Sequence, residues 1–342
     1  MFNSLTLVTP TLEPLGVCLD PFATCANHSC SPNTFAVMDG AQLSFRTLNI
    51  VKNDEEIFIS YIDTTNSFSR RQFELKDRYM FTCRCNKCRR GPTLQEDSLL
   101  VPVNEVSQRI EKSVRDAPDL GVMVPSALAN GDYSHSVGEI EDTVSKCIED
   151  CEKEGDPDKA YVHLNSTIQI LAEIKIWPVH RQPFPALRHE IFICCLSRQL
   201  YMQAFFHGLF TYFNIHPILY PQRHHPVRVK QTWVLAMLTL FLVAEGNNRE
   251  IDPTGTVESA PDKFAALMYG LMSETALMVG KSHGKDSSFA EAVKKKLSEV
   301  SGDMAFGNPT VLQEYQAAFH SSLPYFRQLA EKGVKYSVPF LR

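Results

Sequence analysis

Three cysteines close together near residue 85 carry the strongest chemical signal in the sequence. Cys83, Cys85 and Cys88 fall within a run of six residues. Three thiolates at this spacing can converge on one tetrahedral ion, which for soft sulfur ligands is most often zinc. The neighbouring cations Arg84 and Lys87 favour thiolate over thiol and argue against a buried apolar role. The residues therefore predict a zinc site that still lacks its fourth ligand.

A second polar motif, NHSCSPN, occupies residues 27–33. Taken alone, His28 is more often a structural histidine with satisfied hydrogen bonds than a reactive one. The side chain of Asn27 offers a donor and an acceptor, which suit the polar edge of a cofactor or, equally, the backbone of a turn. The residue types by themselves leave both alternatives open.

The order of these motifs resembles a known family. NHSCSPN, a hairpin, the strand EEIFISYID and the cysteine cluster look like the C-terminal half of a SET methyltransferase domain with its post-SET zinc site. The upstream segment NSLTLVTPTLEPLGVCLDPF and the helical remainder narrow the resemblance to the SET and MYND (SMYD-like) branch. The resemblance covers residues 3–91 well and the rest loosely, chiefly through the segment 225–228. It implies an S-adenosylmethionine-dependent protein-lysine N-methyltransferase.

The resemblance also implies roles for individual residues. Tyr61 corresponds to the catalytic tyrosine of the family, although an isolated tyrosine here would be read as a half-buried strand aromatic. Tyr79 corresponds to an aromatic residue in the wall of the lysine channel. The implied zinc ligands are Cys30, Cys83, Cys85 and Cys88. The implied cofactor-binding positions are Asn3, Thr24, Ala26, Asn27, His28 and Phe81.

Lysine methylation places clear demands on such a site. The reacting amine must be neutral, whereas a free lysine has a pKa of about 10.4 and is protonated at neutral pH. A neighbouring sulfonium cation and an apolar channel both lower that pKa. A strong general base is then not required, and alignment of the reacting atoms carries most of the acceleration. The hydroxyl of Tyr61 can orient the amine while its ring narrows the channel.

The N-terminal quarter of the sequence has the texture of short strands and turns. Two apolar runs, 34–38 and 41–46, flank the dipeptide Asp39-Gly40, which is a strong hairpin signal. A third strand is expected over residues 56–61. These strands would carry the polar motifs described above.

Beyond Pro92 the apolar residues recur at spacings of three and four, which predicts helices. Ser288 and Glu291 form a candidate capping box. The main predicted helical stretches are 155–176, 186–213, 226–245, 261–281 and 310–331. We therefore expect an α+β protein with part of a β-rich SET domain and its zinc segment over 1–91, followed by an all-helical, tetratricopeptide-like lobe over 92–342. No clear repeat of about 34 residues is found.

Composition limits the protein class. The 342 residues include 34 Lys or Arg and 39 Asp or Glu, so that the formal net charge is 34 − 39 = −5, and 44% are hydrophobic. These values are typical of a globular protein and do not favour nucleic acid as the primary ligand. The longest apolar run, 233–244, is shorter than the roughly 20 residues of a membrane span. We expect a reducing compartment, cytoplasmic or nuclear, a protein substrate carrying the target lysine, and no membrane association.

Two further clusters are interpreted structurally. Residues 70–90 contain eight basic and two acidic side chains, a net charge of 8 − 2 = +6. A solvated helix face is favoured over a surface that attracts an acidic peptide or a phosphate backbone. Cys147 and Cys151 share one face of a predicted helix, where core packing is favoured over metal binding.

The resemblance leaves two functional hypotheses open. The family's MYND finger and its glycine-rich cofactor turn are expected upstream of NHSCSPN, and only 26 residues precede Asn27. We therefore expect an N-terminally truncated methyltransferase whose present form binds the cofactor weakly or not at all. The alternative is a non-catalytic, zinc-containing scaffold whose helical lobe binds a partner peptide.

Overall fold

A computed structural model describes residues 5–8, 14–116, 133–245, 261–305, 308 and 310–336. The chain forms two compact units. The first comprises Met1–Ile62 and Gly208–Lys332, and the second comprises Asp63–His207 and Gly333–Arg342. The domain boundary predicted at residue 91 stays a prediction.

The strands of the first unit form three short two-stranded sheets. The six strands in the described residues are β1 (Leu5–Val8), β2 (Pro14–Cys18), β3 (Asn27–His28), β4 (Thr34–Asp39), β5 (Gln42–Thr47) and β6 (Phe58–Ile59). The pairs β1–β2 and β4–β5 are antiparallel, whereas β3 and β6 are parallel. The predicted β4–β5 hairpin is confirmed, and Gly40 turns it with a left-handed φ of +58°.

The third predicted strand is shorter than expected. It was predicted over 56–61, but β6 contains only Phe58 and Ile59. The preceding residues form a turn in which the Glu55 N–H donates to the Lys52 carbonyl and Asp54 adopts a left-handed φ of 63°. Within the predicted strand, the Glu56 carbonyl bonds to the Asn33 side chain and the Tyr61 N–H bonds to the His28 ring, so neither end pairs with a strand backbone, which explains the difference.

Helices dominate the remainder of the described chain. They are α1 (Phe68–Tyr79), α2 (Asn86–Arg89), α3 (Leu94–Asp97), α4 (Val106–Asp116), α5 (Tyr133–Lys153), α6 (Pro157–Ile174), α7 (Phe184–Ser197), α8 (Tyr201–Phe210), α9 (His216–Leu219), α10 (Pro226–Ala244), α11 (Pro261–Ser282), α12 (Ser288–Ala305) and α13 (Thr310–Tyr336). No strand occurs among the described residues beyond 92, so the prediction of a helical lobe is confirmed. The predicted stretch 186–213 is interrupted after α7, where Gln199 adopts a left-handed φ of 58°.

The capping box predicted at the start of α12 is wrong by one residue. The Ser287 hydroxyl, not that of Ser288, accepts a hydrogen bond from the Ala290 N–H at 3.1 Å. Ser288 instead donates its N–H to Asp39 at 2.9 Å, and its hydroxyl contacts the same carboxylate. The turn of the β4–β5 hairpin therefore supplies an anionic cap to α12, a contact that local sequence spacing does not reveal.

The core of the helices in the first unit forms around α10, α11 and α12. Val229, Val279, Ala290 and Val293 form a buried apolar cluster, against which Trp233 packs. Among the described helices, α10 alone is long and apolar enough to cross a membrane by length and composition. Eight of its residues are buried, and it packs on α11. These contacts favour its interpretation as a core helix.

In the second unit, consecutive helices α5, α6 and α7 pack on one another. The interpretation of the basic segment as a solvated face is wrong for two of its members. Arg71 is fully buried and lies 2.7 Å from the Glu96 carboxylate, which also pairs with Lys87. A buried charge is stable only when it is paired, and the pairing residue lies beyond the basic segment, so its local composition did not indicate this arrangement.

Candidate active site and metal centre

The NHSCSPN motif is held to the strand that precedes Tyr61. In the parallel pair of β3 and β6, Asn27 lies opposite Phe58 and His28 opposite Ile59. The Ser29 N–H extends the ladder to the Ile59 carbonyl at 2.9 Å. The motif and the candidate catalytic strand are thus neighbours through backbone hydrogen bonds.

Asn33, at the end of the motif, bonds through its side chain to the backbone of the segment that leads into β6. Its side-chain oxygen accepts from the Phe58 N–H at 2.8 Å, and its amide donates to the Glu56 carbonyl at 2.9 Å. Sequence reasoning assigned Asn33 no role, although its place in the quoted motif was an available signal. One amide side chain therefore replaces two strand hydrogen bonds and keeps β6 against the motif.

Tyr61 is fixed at both its backbone and its side chain. Its N–H donates to His28 Nδ1 at 3.1 Å, and its hydroxyl donates to the Ala26 carbonyl at 2.6 Å. Because Nδ1 of His28 accepts a hydrogen bond, the proton of the neutral imidazole resides on Nε2. That nitrogen lies 3.2 Å from the sulfur of Cys30. His28 therefore connects the tyrosine to a candidate metal ligand.

Four of the predicted cofactor positions lie together in the first unit, within residues 24–28. Thr24 is half-buried and donates to the Pro21 carbonyl at 2.9 Å, whereas Ala26 and His28 are buried. Asn27 is exposed, and its amide donates to Glu56 at 2.6 Å. The predicted position Asn3 lies outside the described residues.

Tyr79 and Phe81, the remaining predicted aromatic positions, lie at the end of α1 in the second unit. Tyr79 is the last residue of the helix, and Met80 ends it in a left-handed conformation with φ 61°. The Phe81 N–H donates to the Leu75 carbonyl at 3.4 Å. Both aromatic side chains are half-buried, and their assigned roles stay predictions.

The predicted metal ligands form a cluster. The sulfurs of Cys30, Cys83, Cys85 and Cys88 all lie within 4.8 Å of one another. Tetrahedral zinc with Zn–S bonds of about 2.3 Å requires sulfurs roughly 3.8 Å apart, so the cluster could form a zinc site. Among the described residues, no other group of three or more metal-ligating side chains meets this distance.

The cysteine-rich loop is shaped by local contacts. Gln72 on α1 brackets Cys83, since its side chain accepts from the Cys83 N–H and donates to the Cys83 carbonyl, both at 3.0 Å. The short helix α2 then follows Cys85 and carries Cys88. Gln72 was not identified from the sequence, because its contact with Cys83 spans eleven residues.

The other cysteine pair has a different character. Burial, followed by the proximity of Cys147 and Cys194, raises the pKa of Cys151 to about 12. A thiol with so high a pKa stays protonated at neutral pH and is a poor metal ligand. The packing role predicted for Cys147 and Cys151 is consistent with this environment.

Comparison with known proteins shows which proteins this part of the chain is similar to. Residues 12–62 match the family model described as "SET domain". The chain is 40% identical over 94 residues to "SET domain and MYND-type zinc finger protein 6" of Schizosaccharomyces pombe, a match covering 28% of this chain and 20% of the relative. It is 33% identical over 105 residues to the human "N-lysine methyltransferase SMYD2", covering 31% and 24%.

A third relative carries a similar name. The human "Histone-lysine N-methyltransferase SMYD3" is 30% identical over 119 residues, which cover 34% of this chain and 27% of the relative. The matches thus span about a fifth to a quarter of these relatives' lengths. Together these matches show that residues 12–62 resemble a SET domain and support a resemblance of the chain to SMYD-like SET proteins. This family implies S-adenosylmethionine as the methyl donor.

Proposed function

We propose that the protein is an S-adenosylmethionine-dependent protein-lysine N-methyltransferase in which Tyr61 is the catalytic tyrosine. The observation that carries the proposal is the 2.6 Å hydrogen bond from the Tyr61 hydroxyl to the Ala26 carbonyl. This bond puts two oxygen atoms at the junction of β3 and β6, beside the residues that the family motif assigns to the cofactor. The relatives named lysine methyltransferases support the same reaction class.

The residues at this junction fit the proposed cofactor. A methyl group on a sulfonium is polarised and forms weak C–H···O contacts with carbonyl and hydroxyl oxygens. The Tyr61 hydroxyl donates its proton to Ala26, and its oxygen can also accept. Asn27, with an exposed amide, would hold a polar edge of the cofactor, and Thr24, His28, Phe81 and Asn3 are the other proposed contacts. When bound, S-adenosylmethionine supplies the electrophilic methyl group.

Two tyrosines of this chain are proposed to orient the substrate lysine. The Tyr61 ring and the aromatic ring of Tyr79 are proposed to wall an apolar channel that disfavours the ammonium form of the substrate lysine. The Tyr61 hydroxyl would orient the neutral amine. Because the tyrosine is held at its N–H and its hydroxyl, little reorganisation is needed when substrate binds.

We further propose that Cys30, Cys83, Cys85 and Cys88 hold one zinc ion as a structural site. Four thiolates complete a tetrahedral shell and leave no open position for water, so the ion would stabilise the fold and not activate a nucleophile. The Nε2–H of His28, 3.2 Å from the Cys30 sulfur, would donate to the bound thiolate.

The substrate is proposed to be a protein lysine, and the peptide-binding role of the helical lobe and the cytoplasmic or nuclear location stay predictions. The test is transfer of a radiolabelled methyl group to a protein lysate, with the product analysed for methyl-lysine. A form that carries the family's upstream SET half should transfer label, and in that form Tyr61→Phe should lower turnover at least tenfold with little effect on cofactor affinity, because the ring remains and the orienting hydroxyl is lost.

Tyr315→Phe on α13 is the matched control and should leave turnover unchanged. Full activity of Tyr61→Phe would reject Tyr61 as the catalytic tyrosine. A form that carries the family's upstream SET half and binds zinc, but neither binds cofactor nor transfers methyl, would contradict the methyltransferase proposal and favour the scaffold alternative.

A further inference from the structure

A group of basic side chains lies in the first unit, where β5 meets the loop between α11 and α12. Arg46 belongs to β5, and His283 and Gly284 belong to the loop. None of these residues belongs to the proposed methyl-transfer or zinc site. Arg46 and His283 thus form a second cluster of polar side chains in the first unit, apart from the proposed methyl-transfer site.

Gly284 allows the Arg46 guanidinium to approach the loop backbone closely. The glycine has a left-handed φ of +104°, and a Cβ atom there would lie 2.0 Å from Nη2 of Arg46. Any other residue at this position would be strained and would displace the guanidinium. The loop is thus shaped to accept an arginine side chain against its backbone.

The polar groups around this contact lack partners. His283 is only 4% exposed, and neither of its ring nitrogens has a hydrogen-bond partner. The same is true of Nε of Arg46 and the hydroxyl of Ser282. No ion pair joins Arg46 to any residue that the structure describes. Leaving several buried polar atoms unsatisfied in one place is costly, so such a cluster calls for a ligand.

Asp39, the carboxylate that acts electrostatically on His283, does not supply this need. Asp39 accepts the N–H and contacts the hydroxyl of Ser288, and these hydrogen bonds lower its pKa. Positive charge predominates around His283. Its burial and then the proximity of Lys230 and Arg46, opposed by Asp39, lower the pKa of the imidazole to about 3.

We propose that Arg46 and His283 form a binding site for a phosphate group. An arginine fork and an imidazole can both donate charge-assisted hydrogen bonds to the oxygens of a phosphate dianion, which carries more charge than a carboxylate monoanion. The site is independent of the proposed methyltransferase activity, since it requires only the first unit's hairpin and helices.

Titration of the purified chain with inorganic phosphate at constant ionic strength tests the proposal. We expect one saturable site, and Arg46→Gln and His283→Gln should each weaken it about tenfold or more, because each removes a charge-assisted hydrogen bond. Lys295→Gln on the exposed face of α12 removes an equal charge and should leave binding within about twofold. Arg46→Lys, which retains the charge, should fall between these values.

Histidine NMR provides a readout that a packing role would not change. Phosphate should raise the pKa of His283, since an anion favours the imidazolium. A phosphoserine peptide is compared with inorganic phosphate, and tighter binding of either one identifies the source of the group. No saturable phosphate binding by the wild type, acetate binding as tight as phosphate binding, or unchanged phosphate affinity of folded Arg46→Gln would overturn the proposal.

Discussion

The main-chain N–H of Tyr61 donates to Nδ1 of His28 at 3.1 Å, across 33 residues of sequence. This bond determines which imidazole nitrogen carries the proton and directs Nε2 to the Cys30 sulfur, 3.2 Å away. The candidate catalytic tyrosine and a candidate zinc ligand therefore share one histidine. A change at His28 should affect both.

Replacing His28 with alanine should weaken zinc binding. Outer-shell partners of metal ligands typically contribute 10–100-fold to affinity, so His28→Ala should lower zinc affinity by about that factor. Competition with a chromophoric chelator measures the change, and cofactor binding should fall in the same variant. His320→Ala, an exposed histidine on α13, is the control. Unchanged zinc affinity in His28→Ala would show that the imidazole does not support the metal site.

Native protein purified under reducing conditions should contain one zinc ion per chain. Cys88→Ser should abolish stoichiometric binding and lower the thermal unfolding temperature, because metal binding contributes to folding free energy. Cys25→Ser is a suitable control, since Cys25 is exposed and outside the cluster. Elemental analysis measures the content. Zinc-free wild-type protein, or full zinc content in Cys88→Ser, would refute the site.

The contact of Asp39 with Ser288 should make stability depend on pH. The hydrogen bonds from Ser288 lower the pKa of Asp39, so its contribution is present above its unfolded pKa of about 3.9 and is lost as the pH falls below that value. At neutral pH, Asp39→Asn should cost about 0.5–1 kcal/mol in the free energy of unfolding. Urea unfolding at pH 7 and pH 3 measures both effects.

Asp303→Asn removes the same charge from the opposite end of α12 and is the matched control. It should not destabilise the protein, since a carboxylate near a helix C-terminus is unfavourable. Equal destabilisation by both substitutions would mean that the Asp39 cap contributes nothing specific.

Glu96 should be essential for the stability of the second unit. Glu96→Gln leaves the buried guanidinium of Arg71 without its charged partner at 2.7 Å and should cost about 3 kcal/mol. Denaturant unfolding measures this loss. Glu105→Gln, at an exposed position, should cost less than about 0.5 kcal/mol. A free energy of unfolding for Glu96→Gln equal to that of the wild type would show that Arg71 is stabilised by other contacts.

Local features of the fold were predictable from the sequence. These features depend on interactions within a few residues, whose geometry is set by backbone sterics and side-chain type. They are the Asp39-Gly40 turn, the helical periodicity beyond Pro92, and the spacing of Cys83, Cys85 and Cys88. The NHSCSPN motif indicated the family, and the match over residues 12–62 confirms it.

The contacts that position the site were decided by the tertiary structure. The Tyr61–His28 bond spans 33 residues and the Asp39–Ser288 contact spans 249, and neither leaves a periodic signal in the sequence. The burial of His283 near Arg46 likewise joins segments far apart in the sequence and leaves no periodic signal. Hydrogen bonds and desolvation depend on which distant segments pack together, so the proton position on His28, the true cap of α12 and the partner of Arg71 became visible only in the folded chain.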